Sequence, residues 1–251
     1  MLKLITMLIL FLFGMVAQGQ ISETRIVTGF KQVEVKNAEL IYIESNETSL
    51  TVEARDNAAL EQVSTEITAG TLKIVNRSND SQVKVYLSAE NVASFKAGSN
   101  SKITVAGQIT GSNVSVILNS NAVFTGKIAT MYKATLEANG QSSFKGHVEC
   151  GTFKGVFTDD SKVIVCGIAA VAMIHTGNTA TFNARNFSAE KLKIDAEGNS
   201  KVWAYADNRI DITVLEGAKV IYNGNPKKVD LNEFATSFAK EKSNDALSYK
   251  Y

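Results

Sequence analysis

The sequence predicts an all-β solenoid: a parallel β-helix of about seven regular coils, preceded by an irregular β region and followed by a short helix. Three observations predict it. The grammar of NVASFKAGSNSKITVAG, apolar residues at alternate positions around a small polar turn, recurs down the chain. With the small turn residue as marker, the copies centre on Ser101, Ala122, Ser142, Ser161, Thr179, Ser200 and Ala218, spaced 18 to 21 residues apart. Such a period, with one strand–turn–strand per copy, is the sequence signature of a solenoid. Finally, a single proline and seventeen glycines among 251 residues demand many tight turns while sparing strand ladders a residue that cannot donate to them.

Taken in order, the first nineteen residues, MLKLITMLILFLFGMVAQG, carry a basic Lys3, an apolar run from Leu4 to Val16 and a small-x-small ending. They read as an export signal cleaved after Gly19, because the run is short of the roughly 20 apolar residues that a retained span needs. No cysteine follows it to carry a lipid anchor. The expected organisation is a leader at 1–19, a β-helix domain at 20–226 and a helical cap with tail at 227–251. Within the domain, 24–90 is irregular and 91–226 regular. Periplasm, cell surface and medium all remain open as destinations. The net charge of +1 offers no electrostatic footprint for nucleic acid.

From Thr24 to Ser88 the runs RIVTGFKQVEV, LIYIE, SLTVEA, TLKIV and QVKVYLS alternate as half-buried strands do. DNAALEQ predicts a helical turn at Ala58–Leu60. Arg25, Val27, Gly29 and Phe30, then Glu53, Ala54, Asp56 and Asn57, then Gly70, Thr71, Leu72 and Ile74 carry a likeness. Together with the later GSNSKITVAG repeats, this stretch resembles the head GIN domain family of auto-transporter adhesins over roughly residues 25–225. The resemblance implies an exported, right-handed β-helix-like, adhesin-like domain and supplies no functional residues.

In the repeats, three columns lie eight, six and four residues before the marker, on one strand face. They include Val114, Ala134, Val171 and Leu192; Phe95, Leu136, Gly155 and Met173; and Leu118, Phe157 and His175. Ile103, Phe124, Phe144, Val163 and Thr181 form a fourth, two residues after it. Stacked coils bury these faces against one another, each well-buried aliphatic or Phe contributing about 1.5–3 kcal/mol. The fifth copy is the least regular, and a one-residue bulge near Thr179 would restore its phase. Just before the marker stand Asn100, Asn121, Gln141, Asp160, Asn178, Asn199 and Gly217, with two readings: an amide ladder between coils, or simple turn preference. Both are structural.

Candidates for chemistry are few. Asp159–Asp160 is the one adjacent acidic pair in the repeats and reads as a solvated turn, since sugar hydrolysis and calcium binding both need convergent carboxylates. His175 reads as a hydrogen-bonded structural histidine, and His147 lacks a cysteine or acid at metal-site spacing. Cys150 and Cys166 sit three positions out of register, roughly 10 Å along strands, which favours two separate, mostly buried thiols over a disulfide. No cofactor or metal is expected. The outward column Lys96, Ile117, Glu137, Val156, Ile174, Asp195 and Thr213 contains a candidate contact patch at Ile117, Val156 and Ile174. A loop or the C-terminal helix covering it is the alternative. That helix is expected at Asp230–Lys242, over the end of the solenoid. The function expected is a non-enzymatic envelope or adhesin-like binding module for a glycan, peptidoglycan or surface protein. The competing reading, by analogy of fold, is a polysaccharide-active enzyme.

Overall fold

The computed structural model describes residues 20–78 and 83–234. The expected leader at 1–19 and everything from 235, including most of the expected C-terminal helix, lie outside the described residues. The N-terminal third runs β1 (Ile21–Arg25), β2 (Gln32–Lys36), β3 (Glu39–Glu44), β4 (Ser49–Ala54), a short helix α1 (Asn57–Glu61), β5 (Val63–Thr68), β6 (Thr71–Asn76), β7 (Lys84–Ala89) and β8 (Ser94–Gly98). Six long strands follow: β9 (Lys102–Leu118), β10 (Val123–Ala138), β11 (Ser143–Phe157), β12 (Lys162–Thr176), β13 (Thr181–Ala196) and β14 (Lys201–Val214). β15 (Lys219–Asn223) and β16 (Lys228–Leu231) complete the described chain.

The fold is a β-solenoid of about seven turns. Each of β9 to β14 is most of one coil and pairs in parallel with the coils before and after it. Equivalent side chains therefore stack into interior rows. Val114, Ala134, Phe153, Ala172, Leu192 and Ile210 are consecutive register partners, and so are Val116, Leu136, Gly155, Ile174, Ile194 and Ile212. All are buried. Register irregularities against β9 after Thr125 and after Thr130 divide β10 into three runs, at 123–126, 127–130 and 133–138. The other coils align on these as first, second and third runs.

The turn markers are buried small residues: Ser101, Ala122, Ser142, Ser161, Ala180, Ser200 and Ala218 are each 0% exposed. The fifth marker is thus Ala180, not Thr179. With that one-place change the fifth copy is regular and requires no bulge at the turn: Phe182 takes the position after the turn expected for Thr181, and Ala172, Ile174 and Thr176 replace Val171, Met173 and His175 inside. The physical reason is that the interior selects the apolar alternation around Phe182, whereas Thr179 imitates the small polar marker only by size. Ala93, likewise expected inside, is exposed, and Val92 is buried in that part of the coil.

Interior volume is balanced along β11. Phe144 lays its ring over Gly146, where a Cβ would stand 2.8 Å from Cζ. Phe124 and Phe144 stack at 5.2 Å between centroids, and Phe157 and Phe182 at 5.0 Å. The turn itself needs a left-handed residue two places before the marker. Ser99, Ser120, Gly140, Asp159, Asn178, Gly198 and Glu216 occupy that place, with φ from 50° to 68°, which explains its richness in Gly, Asn and Asp.

The N-terminal third is more regular than its sequence promised. β2–β3 and β6–β7 are two further coils: β2 pairs in parallel with both β8 and β6, and β3 with both β9 and β7. The second interior row accordingly continues from Val116 through Phe95 and Val33 to Leu72. The parallel stack ends in antiparallel strands: β4 on β7, β1 on β4, and β5 on β6. Between them lies α1, capped by Asp56, whose Oδ1 accepts from Ala59 N at 2.8 Å. Arg25 ties this end together, donating to the carbonyls of Val63 and Leu60 at 2.6 and 3.3 Å. At the other end Asp230 and Leu231, expected to begin the helix, instead belong to β16, in register with Asp211 and Ile212 of β14. Arg209 fastens that strand through Asp230 at 2.9 Å, and Val229 extends the row of Ile210. One more layer of ladder satisfies the exposed edge better than a helix starting there would.

Candidate functional site

The expected contact patch is only partly assembled. Ile117, Glu137, Val156 and His175 are consecutive partners in one outward row of the third run. Ile117 and Val156 are half-buried on either side of the exposed Glu137. Ile174 is 2% exposed, in the interior row between Gly155 and Ile194, so it cannot join them; His175 holds the outward place assigned to it. His175 is accordingly a surface residue, with Nε2 3.4 Å from Glu197 Oε1, and not the interior histidine expected.

Exposed apolar side chains concentrate on another feature. β12, KVIVCGIAAVAMIHT, has one charged residue in fifteen, and each of its three runs turns an apolar side chain outward. Ile164, Ile168 and Met173 are 49%, 56% and 41% exposed. The following coil presents Arg185, Glu190, Lys191 and Lys193 outward instead. Two coils earlier, Met131 and Tyr132 protrude at the corner between second and third runs, where β10 carries one residue more than β11. Gly151 fits beneath: its Cβ would lie 2.9 Å from Tyr132 O. The sequence signal for the apolar coil was the lack of charge in β12, which a reading of inward columns alone passes over.

At the turns, Asn121 Nδ2 donates to Asn100 Oδ1 at 2.9 Å, one coil apart. Asn178 stands one place earlier than that column; its Nδ2 donates to Asp159 Oδ1 at 2.8 Å, while Gly140 N donates to Asp159 Oδ2 at 3.2 Å. Gln141 and Asn199 are exposed, and a Cβ on Gly217 would come within 2.6 Å of Asn199 Oδ1. Thr179 Oγ1 donates to Asp160 Oδ1 at 2.5 Å. Both carboxylates of the Asp159–Asp160 pair therefore bind neighbouring coils.

Sequence reasoning missed one grouping. His147 and Cys166 are register partners on β11 and β12. Cys166 Sγ lies 3.5 Å from His147 Nδ1, and His147 Nε2 lies 2.7 Å from Glu149 Oε1. The detectable signal was the nineteen-residue separation of His147 and Cys166, one repeat length. Both cysteines are free thiols. Cys150 faces Ala169, three positions along from the Cys166 pairing, and burial pushes its thiol up to about 11. Among the described residues, no group of three or more His, Cys, Asp and Glu is arranged to hold a metal ion, and no helix is long and apolar enough to cross a membrane.

Comparison with solved structures identifies the same architecture in crystal structures of Parabacteroides proteins. A putative adhesin from Parabacteroides distasonis superposes with a TM-score of 0.77 at 16% identity, covering 85% of this chain and 94% of its own. One from Parabacteroides merdae gives 0.77 at 12%, covering 84% and 93%. A protein from Parabacteroides distasonis described as a putative lipid binding protein gives 0.70 at 14%, covering 84% and 94%. At these identities the likeness is one of fold. A comparison with curated proteins finds no match. The family model described as "Putative auto-transporter adhesin, head GIN domain" matches residues 29–226, the stretch that runs from the turn before β2 to the end of the regular coils. The chain therefore belongs to the head GIN domain family.

Proposed function

We propose that the protein is an exported, non-enzymatic, adhesin-like binding module that engages a glycan, peptidoglycan or another surface protein through its outer wall. Membership of a family named for adhesins supports the class. The observation that carries the surface is the apolar coil: Ile164, Ile168 and Met173 project from β12, one from each run, as a band around the coil next to a charged coil on β13, and exposed apolar groups beside charge mark contact sites. Val156, the partner of His175 on the coil before, stands at its margin, whereas Ile117 lies three coils away on β9. Ile174 has no part in it. The turn carboxylates Asp159 and Asp160 serve coil-to-coil bonds in this reading, as do Asn100 and Asn121.

The test is a glycan, cell-wall and surface-protein binding screen of residues 20–251, repeated with the double variant Ile164→Lys, Ile168→Lys. Binding by the parent that the variant loses, with unchanged melting, is the expected result; equal binding by both removes β12 from the contact. Cleavage of oligosaccharide by the parent, abolished in an Asp159→Ala, Asp160→Ala variant, would replace the binding module with an enzyme.

A further inference from the structure

The inward rows, the turn ladder and the apolar coil leave Cys166, His147 and Glu149 without a role. We infer that Cys166 is a reactive thiol, activated by His147 and Glu149, that forms a mixed disulfide with small disulfide-bearing molecules.

The argument begins with which imidazole nitrogen carries the proton. Glu149 Oε1 lies 2.7 Å from His147 Nε2, and a carboxylate accepts, so Nε2 donates. That leaves the Nδ1 lone pair facing outward along the row, toward Cys166 Sγ at 3.5 Å. A cysteine, a base that can take its proton and an acid that orients the base form the arrangement in which thiols become nucleophilic. Gly146 O, also 3.5 Å from the sulfur, offers the S–H a second acceptor while it is protonated.

The backbone holds the three together. Glu149 follows His147 by two on β11, so both point outward, and Cys166 is His147's partner on the next coil. Gly167 lets the coils approach here: with φ at +117°, its Cβ would stand 2.1 Å from Val148 O. On the far side, β13 shifts register between the partners of Ile164 and Cys166, leaving two residues, Ala184 and Arg185, opposite Val165. A bulge beside a candidate reactive group re-aims the side chains around it. The charged and polar groups facing the pair are Lys127 on β10, the partner of His147; Asn186 on β13, the partner of Cys166; and Glu149 itself. Arg185, next to Asn186, is turned over the Trp203 ring at 4.7 Å.

The same geometry selects the electrophile. Acyl transfer needs N–H donors aimed at a developing oxyanion, and the strands flanking Cys166 are paired in parallel ladders with both neighbours. A disulfide needs none. Cys166 passes its proton to His147 Nδ1, and the thiolate attacks one sulfur of R–S–S–R′. The Cys166–S–R bond forms as the S–S bond breaks, and R′–S⁻ leaves with the electron pair and takes the proton from the imidazolium. No other oxidant enters. The second thiol cannot resolve the product, because Cys150 pairs three positions away, roughly 10 Å along the strands, beyond disulfide reach. The mixed disulfide therefore persists as an attachment.

The experiment follows release of the coloured thiolate when the folded protein meets an aromatic disulfide, dithionitrobenzoate, from about pH 5 to about pH 9. One thiol per chain should react quickly, and Cys166→Ser should abolish that phase while Cys150→Ser preserves it. His147→Gln should slow it at least about tenfold near pH 6. Glu149→Gln should move the midpoint of the pH profile without altering melting, a change that a merely structural role would not produce. With cystine as the second probe, peptide mapping should place a stable mixed disulfide on Cys166. An unchanged rate in His147→Gln, fast reaction at Cys150, or an intramolecular Cys150–Cys166 bridge would each overturn the inference.

Discussion

Phe157 lies over Gly155: a Cβ added to that glycine would stand 2.5 Å from Phe157 Cζ and 3.2 Å from Ile174 Cδ1. The ring cannot swing away freely, since it stacks on Phe182 at 5.0 Å, whose ring in turn faces Phe153 at 6.5 Å. The glycine in the row between Leu136 and Ile174 is thus the counterpart of the phenylalanine two residues on. Gly155→Ala should cost about 1–3 kcal/mol by overpacking, measured by urea unfolding. Adding Phe157→Leu should recover part of that loss. If the double variant is no more stable than the sum of the single losses predicts, the two sites are independent and the pairing is wrong.

The interior rows make a second, stricter test. Leu136 is buried between Val116 and Gly155, and Leu136→Ala should cost about 2–5 kcal/mol. Leu136→Asp should cost more, because a charge is buried without a partner, and should leave no cooperative unfolding transition at room temperature. Ile174→Ala should fall in the same range as Leu136→Ala, whereas Met173→Ala, at an outward position, should stay within about 0.5 kcal/mol of the parent. Reversed values for Ile174 and Met173 would restore Thr179 as the fifth marker.

That register is where legibility in the sequence ran out. Period, alternation and turn residues sufficed for the stack because the rows repeat: Val114, Ala134 and Leu192 align whichever residue is chosen within one coil. Between Ala169 and Phe182 two alternations compete, since Val171, Met173 and His175 are nearly as apolar as Ala172, Ile174 and Thr176. Only the stacking of Ala172 between Phe153 and Leu192 separates them. The end coils were obscured for a different reason. β2–β3 stacks between β6–β7 and β8–β9, out of chain order, and a search for a sequential period cannot register a coil inserted later. The Cys166, His147 and Glu149 grouping has one sequence signal, the repeat-length separation of His147 and Cys166, but that all three share an outward face follows only from the register at that coil.

The turns yield a third prediction. Asp159 adopts φ of 56° and accepts from both Asn178 Nδ2 and Gly140 N, bridging three coils. Asp159→Ala removes both acceptors and places a Cβ-bearing residue without a local hydrogen-bonding side chain in the left-handed region. The loss should be about 1–2 kcal/mol, read as a lowered urea midpoint. Asp159→Asn keeps an acceptor and tolerates the conformation, so it should lose less than half as much. Equal losses from both variants would mean that charge, not the bridge, is what the turn uses.

Alkaline pH provides the last test. Cys150 sits in an inward row of the second run whose next members are Ala169 and Ala189, and burial there raises its thiol from an ordinary 9.0 to about 11. Between those values the folded chain holds a proton that the unfolded chain releases, so stability falls as pH rises through that window and is untouched below it. The parent's urea midpoint should therefore be level from neutral pH to about 8 and decline from about 9 upward. Cys150→Ala, matching its row neighbours, should flatten the first part of that decline. A residual slope at higher pH belongs to Tyr42, whose buried hydroxyl donates to Ala89 O at 2.8 Å and is pushed by burial far above its ordinary range. Cys166→Ala, at the half-buried outward position, should not remove the decline above about pH 9. If it instead removes the alkaline decline while Cys150→Ala does not, the inward and outward assignments of the two thiols are exchanged.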